Sequence, residues 1–304
     1  MTGLTDYLSA CLWEDIIIAW DVLVDDASQA LERHYGKWRK RGSAPEFGDS
    51  EVITIGLSCD TFFDGSEELG LSFVRQHYSH LFPHLLENSR FNRRRRELGP
   101  LTEQIRRYWT LPLIDPDDPI RLTDSAPIPV CTYMRGSRCQ TVQGADYCSV
   151  IPSKRAKLFG FRVYVSATIE QLVEQWMLAP AAPHENKVAE VFFEDTEDQI
   201  VFADNAFRDA VLEFLLKQQR NIALYATPRK SDTRNWPEEV KQLFTRMRRR
   251  VETALSVLTT VFHLERPGSR SLKGLVARVS SCFLAYSLSF VIALILESQF
   301  TKIN

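Results

Sequence analysis

Three acidic residues occupy positions that local structure does not require. Asp124 ends the short apolar run in RLTDSAPIPV, Asp204 ends IVFA, and Glu252 sits beside the apolar stripe of a long helical pattern. If the strands carrying the first two are parallel neighbours, both carboxylates leave the same carboxyl edge of a sheet, where sites in open sheets collect. A helix over that edge can bring Glu252 down between them. Three carboxylates with no basic neutraliser repel one another and call for a cation. Mg²⁺ suits such a set, and two ions about 4 Å apart activate a nucleophile and stabilise a leaving oxygen in phosphoryl transfer, with Mn²⁺ as a substitute. Each acid also has an ordinary reading. Asp124 and Asp204 can cap or turn the chain, and Glu252 can pair with Arg248 or Arg249 at helical spacing.

The elements that must position these acids follow from the pattern on either side. Residues 12–40 and 49–63 are amphipathic or apolar helical runs, with Asp49 or Ser50 as candidate caps, and predict an all-α front end. It closes in SRFNRRRRELGPLTEQIRRYW, and LPLIDPDDPIR, with three prolines, reads as a linker. The expected division is a helical domain over 1–112, a linker over 113–119, a catalytic domain over 120–270, and a C-terminal helix, 271–304, packed on the catalytic domain. From residue 120 the pattern predicts strand, strand, strand, helix, strand, helix, strand, helix. The second and third strands, near 158–167 and 172–179, form a hairpin, and the last helix is EEVKQLFTRMRRRVETALSVLTTVFHL. Such an order implies an α/β fold, a mixed sheet flanked by helices. Pro127 and Pro129 are expected to stop strand pairing after Asp124. The connection from 125 to 157 is long and basic, carrying Arg135, Arg138, Lys154, Arg155 and Lys157.

Charge is unevenly spread. Residues 1–70 hold 14 acids and 5 bases, net −9, which leaves 32 bases against 25 acids, net +7, in the remainder. A basic main body suits a polyanionic partner. The six cysteines show no C-x-x-C pair and read as reduced thiols, with Cys131, Cys139 and Cys148 the only grouping that could bind a metal. The N-terminus lacks the basic start and apolar run of a signal peptide, so a cytoplasmic protein is expected. Residues 279–296 contain no charge and reach the length of a spanning helix, but four serines and a tyrosine interrupt them. They read as a buried or docking helix, with no membrane partner.

Together LTDSAPIPVC, VFADNAF and RRRVETALSVL resemble the three catalytic blocks of DDE transposases of bacterial insertion sequences, particularly the insertion-sequence 982 family. The resemblance extends from DSEV and SRFNRRRREL in the front end to AYSL near the C-terminus. It implies a ribonuclease H-like catalytic domain, with Asp124, Asp204 and Glu252 as catalytic residues and Mg²⁺ ligands. It also implies an N-terminal domain that binds the terminal inverted repeats of double-stranded DNA, a homodimer on DNA, and a prokaryotic, nucleoid-associated location when bound. Arg93, Arg94, Arg95 and Arg96 are expected on the DNA backbone or in a recognition helix. Arg248 and Arg249, one turn before Glu252, and Arg135, Arg138 and Arg162 are further candidate phosphate contacts. GFRVYV carries Arg162 and Tyr164 where Lys and His are common in such enzymes, and PHEN has Glu185 after His184 where Asp is usual. His184 is therefore only a candidate supporting residue. A phosphatase using an aspartyl-phosphate needs a second Asp two residues after the first, and that place is Ala126. A DNA-binding repressor descended from a transposase, or a metal-dependent phosphatase or nuclease without strand transfer, remains the alternative.

Overall fold

Chain connectivity and packing group residues 1–112 with 258–304 in one unit and residues 113–257 in another. The structure, a computed structural model, describes residues 13–38, 42, 43, 45–151, 155–227 and 238–300. Cys11 and Lys154 lie outside the described residues.

In the first unit the front helices are α1 (Trp13–Tyr35), α2 (Asp49–Phe62), α3 (Glu67–His77), α4 (Asn88–Glu97) and α5 (Gly99–Thr110). Helix α1 buries Ile16, Ile17, Trp20, Leu23, Val24 and Ala27 along one stripe, and carries Glu14 and Asp15 in its first turn and Arg33 and His34 in its last, complementing its dipole. Helix α2 is different. Every residue from Val52 to Thr61 is buried, so α2 is the central rod of this unit. Its cap is Gly48, in place of the Asp49 or Ser50 expected from the sequence, and the Gly48 N–H donates to the Glu51 carboxylate. The same unit also contains the last helix of the chain, α9 (Leu272–Phe300).

That last helix corrects one expectation. It was read as packing on the catalytic domain, but it is built into the unit of the front helices, against α5, α2 and α4. The reason is its composition. It is apolar on nearly every side, with Val279, Phe283, Leu284, Ala285 and Leu288 all inaccessible to solvent, so it needs partners on several faces at once. Residues Leu272–Glu297 are long and apolar enough to cross a membrane by length and composition, yet 67% of the most apolar window is buried inside the protein, as suits a core helix.

The second unit holds the sheet. Its strands are β1 (Ile120–Cys131), β2 (Cys148–Ile151), β3 (Ala156–Ala167), β4 (Val173–Pro180), β5 (Ile200–Ala203) and β6 (Ala223–Ala226). The order is β2-β3-β1-β5-β6, with β4 also paired to β3. Pairs β1–β5 and β5–β6 are parallel, whereas β1–β3, β2–β3 and β3–β4 are antiparallel. The helices are α6 (Glu185–Phe192), α7 (Ala210–Arg220) and α8 (Glu238–Thr260). Val201 and Ala203 of β5 turn to a core that includes Val188, Phe192, Leu212 and Leu216 of α6 and α7. The residue between them, Phe202, turns the other way and meets Phe244 of α8, ring centroids 5.8 Å apart. Period-two alternation thus gives the sheet two covered faces.

Two details differ from the sequence expectation. Strand β2, four residues within the long basic connection, was not anticipated. Strand β1 also does not end at Asp124: Pro127 pairs with Arg162 and Pro129 with Gly160, and the register shifts only between Pro129 and Cys131. The prolines are tolerated because the parallel ladder to β5 ends at Thr123–Ala203. Beyond that point β1 has a free edge, and two prolines two residues apart lack their donors on the same edge. Gly160 makes the close approach possible, since a Cβ there would collide with the Ile128 carbonyl and the Val130 nitrogen.

Candidate active site

The parallel ladder between β1 and β5 stops one residue before the two aspartates. Thr123 is paired with Ala203, and the next residues are Asp124 and Asp204. They leave adjacent strands at the same carboxyl edge, on the face that carries Phe202 and α8. Asp204 also caps a short helical turn, accepting from the Asn205 N–H at 2.6 Å. The capping role and the edge position coexist.

Helix α8 supplies the third side of the site, but not as expected. Nε of Arg248 donates to Glu252 Oε1 at 2.7 Å, and its Nη1 stands 3.3 Å from Asp204 Oδ1. The basic neutraliser thought to be missing is therefore Arg248, four residues before Glu252 on the same helix. It splits the trio. Among the described residues no three His, Cys, Asp or Glu side chains are gathered to hold a metal ion as they stand. The expected three-ligand set is thus only partly assembled, because Glu252 is tied to the guanidinium and not aimed at the aspartate pair. The same observation covers Cys131, Cys139 and Cys148, which are free thiols.

A fourth acid takes up part of the room. Glu185, at the start of α6, accepts from Ser125 Oγ and from Arg162 Nη1, both at 3.0 Å. Arg162 and Ser125 face one another because β1 and β3 are in antiparallel register here, with Ser125 opposite Tyr164 and Pro127 opposite Arg162. A cleft of about 560 Å³ opens between these parts, lined by Asp124, Ser125, Arg162, His184, Glu185 and Asp204. Sequence reasoning noted Glu185 only as a departure from a pattern. Its place one residue after His184, at a helix start, was the available signal.

Charge in this cleft is unevenly compensated. Burial, and then the neighbouring carboxylates of Asp204 and Glu185, push the Asp124 carboxyl up to about 7, against a backbone hydrogen bond from Ser125 and the pull of Arg248. Glu185 is raised too, chiefly by burial, with Arg162 and Ser125 opposing. Burial works against the charge of Arg248, but Asp204 and Glu252 outweigh it and raise its pKa. Asp124 thus carries a penalty that a cation would remove, and Asp124 and Asp204 offer only the hard oxygen donors that Mg²⁺ prefers. The aspartate pair fits such an ion, and Glu252 joins only if Arg248 lets go.

The family model described as Transposase DDE domain matches residues 115–288, more than half of the chain. The chain belongs to that family. Searches of curated proteins and of solved structures found no match. The matched span of this transposase contains both strands bearing the aspartates, the whole of α8, and the first part of α9.

The arginines expected on DNA have quite different surroundings in this transposase. Arg94 donates to the Phe47 carbonyl and pairs with Asp49, and Arg95 is buried between Asp60 and Glu67, 3.0 Å from the latter. Both are therefore occupied in holding helices together. Arg93 is exposed and Arg96 half-buried. Arg135 and Arg138 lie exposed in a helical turn, Tyr133–Arg138, and are not among the residues lining the cleft. Arg162 is paired with Glu185, Arg249 is exposed, and Arg250 docks α8 by donating to the Ile169 carbonyl at 3.0 Å.

Proposed function

We propose that this transposase, of the insertion-sequence 982 type, cuts DNA at the element ends and joins the freed 3′ ends to target DNA at the Asp124–Asp204 edge. The observation that carries this reading is the termination of the β1–β5 ladder one residue before both aspartates, with Asp124 held near neutral pKa beside an open cleft. The sheet order and helix placement support a ribonuclease H-like catalytic domain, and the front helices an N-terminal all-α domain for the terminal inverted repeats. Transposases of this kind typically use divalent metal. Two Mg²⁺ ions, or Mn²⁺ in their place, would be held by Asp124, Asp204 and Glu252 and would supply charge neutralisation and polarisation of the attacking and leaving oxygens.

The chain's own residues do the rest. Arg248 keeps Asp204 and Glu252 from repelling each other before substrate arrives, and its guanidinium fork can pass to a phosphate oxygen, releasing Glu252 toward the aspartates. Arg162 orients Glu185, and Ser125 fixes it from the other side, so that the cleft floor is rigid where the scissile strand would lie. Arg93 and Arg249 remain free for backbone contacts, with Arg135 and Arg138 farther along the basic connection. Because two element ends must meet, the working form is a homodimer on double-stranded DNA.

The test is nicking of labelled element ends in Mg²⁺ by wild type and by Asp124→Asn, Asp204→Asn and Glu252→Gln. Wild-type cleavage should fall by a factor of about 10³ or more in each aspartate variant, as removal of a transition-state charge stabiliser requires. Equal cleavage by all four proteins would refute the site. Binding of element ends without cleavage by wild type would instead identify a repressor, a reading favoured by the diversion of Glu252 to Arg248.

A further inference from the structure

A second cavity, of about 410 Å³, lies within the unit of residues 1–112 and 258–304. Four arginines line it, the buried Arg95 and Arg278 and the more accessible Arg96 and Arg270. Two of these four cations are accounted for. Asp60 pairs with both Arg95 and Arg278, and Glu67 spends one oxygen on Arg95 and the other on Asn92, which donates at 2.8 Å. The other two are not. Arg96 donates from Nε only to the Asn92 carbonyl of its own helix, at 3.3 Å, and Arg270 is exposed; among the described residues neither has a carboxylate partner.

The start of α9 opens on the same cavity. Ser271 Oγ accepts from Gly274 N at 3.2 Å and the Ser271 carbonyl from Leu275 N at 2.9 Å. Of this first turn, Ser271 and Gly274 line the cavity, whereas Leu272 and Lys273 are exposed outside its lining and their N–H groups are not part of it. A helix start alone is no site. Here it coincides with buried donors lacking acceptors: Nε and Nη2 of Arg278 have no hydrogen-bond partner, on a side chain 6% exposed that lines the cavity. Unmet donors at a cavity wall and two uncompensated arginines ask for the same thing, an anion rich in acceptor oxygens.

We propose that this cavity binds a phosphate group, gripped by Arg96 and Arg270, with the unpaired donors of Arg278 behind them. Two sources share that chemistry, the backbone of DNA and free inorganic phosphate. The backbone source deepens the reading of the chain as DNA-acting and rests on it; the phosphate site itself does not. Arginine forks bind phosphate oxygens in pairs.

The experiment uses the full chain in EDTA, where no cleavage competes. Anisotropy of a labelled random-sequence duplex is titrated from 50 to 200 mM NaCl with wild type, Arg270→Gln, Arg96→Gln/Arg270→Gln, and Arg33→Gln as a charge-loss control on an exposed face of α1. Thermal melting is followed with sodium phosphate against chloride at equal ionic strength, and melting without phosphate reports whether each variant is folded. A DNA-backbone source predicts roughly tenfold weaker duplex binding by the double variant and a salt slope lower by about 1, with Arg33→Gln unchanged. A free-phosphate source predicts phosphate-specific stabilisation of wild type that the double variant loses, with duplex binding intact. If folded Arg270→Gln and the double variant match wild type in both arms, the proposal is overturned. Cleavage of element ends in Mg²⁺ is scored separately on Arg96→Gln/Arg270→Gln and wild type, so a failed catalytic reading would show in wild-type cleavage alone and not here.

Discussion

Two arginines in this chain each bridge two carboxylates, and they do so in opposite settings. Arg95 lies between Asp60 and Glu67 with 8% of its side chain exposed, and Arg248 lies between Asp204 and Glu252 with 41% exposed. Around Arg95 the charges are matched, since Asp60 also takes Arg278 at 2.7 Å. Around Arg248 the acids outnumber the bases, because Asp124 adds its own charge to the same edge. A matched cluster sealed from water fixes helices against one another. An unmatched cluster left open to water can exchange partners, and that is what a site for phosphates and cations requires.

The largest effect should come from breaking the sealed cluster. Asp60→Asn leaves Arg95 and Arg278 buried with too little negative charge, and should destabilise the first unit by about 3–5 kcal/mol in urea unfolding. A loss under 1 kcal/mol would mean that water already reaches these charges.

Next comes pH, acting on the open cluster. The folded value of about 7 for Asp124 lies above the ordinary carboxyl value near 4. Between those values the folded form keeps a proton that the unfolded chain has lost, so the contribution of Asp124 to stability is greatest below about 4 and falls as pH rises to 7. Glu185, also raised, acts in the same direction. In calorimetry with EDTA the second unit should lose on the order of 3 kcal/mol across that window, and Asp124→Asn should remove most of the slope. A slope of the opposite sign would show that Asp124 is well neutralised already.

Gly65→Ala probes how the sealed cluster is fitted together. Gly65 has φ +77° and a new Cβ would strike the Arg278 guanidinium. The cost should be about 2 kcal/mol, read from the same urea curves. The smallest effect is reserved for Arg248→Gln. Half-exposed ion pairs contribute little, so stability should change by less than about 1 kcal/mol, while the freed Glu252 should tighten Mn²⁺ binding measured by calorimetric titration. Equal stability losses from Arg248→Gln and Asp60→Asn would erase the distinction between the clusters.

The aspartates were legible in the sequence because each ends an apolar run, and a parallel pairing of their strands places them side by side. Glu185 was not, because its role depends on Ser125 and Arg162 meeting across β1 and β3. That register runs on through Pro127 and Pro129, residues that by themselves signal the end of a strand. The arginine run 93–96 shows the same limit. Four identical letters look like one basic patch, yet helical steps of about 100° send Arg94 to Asp49, Arg95 into the core and Arg93 to solvent. Glu252 and Arg248 were visible as a possible pair, and only the fold showed that their bond also reaches Asp204.

The position of α9 sets an order of events during synthesis. Helices α1 to α5 leave the ribosome long before residues 272–300, and until then Asp60 lacks Arg278 and the apolar side of α5 lacks its cover. The segment between, residues 113–257, can close its sheet first. A chain truncated before α9 would thus keep its carboxylate edge and lose its front helices, and an element whose gene is cut short there would yield a protein with the chemistry but without the unit proposed to hold its ends.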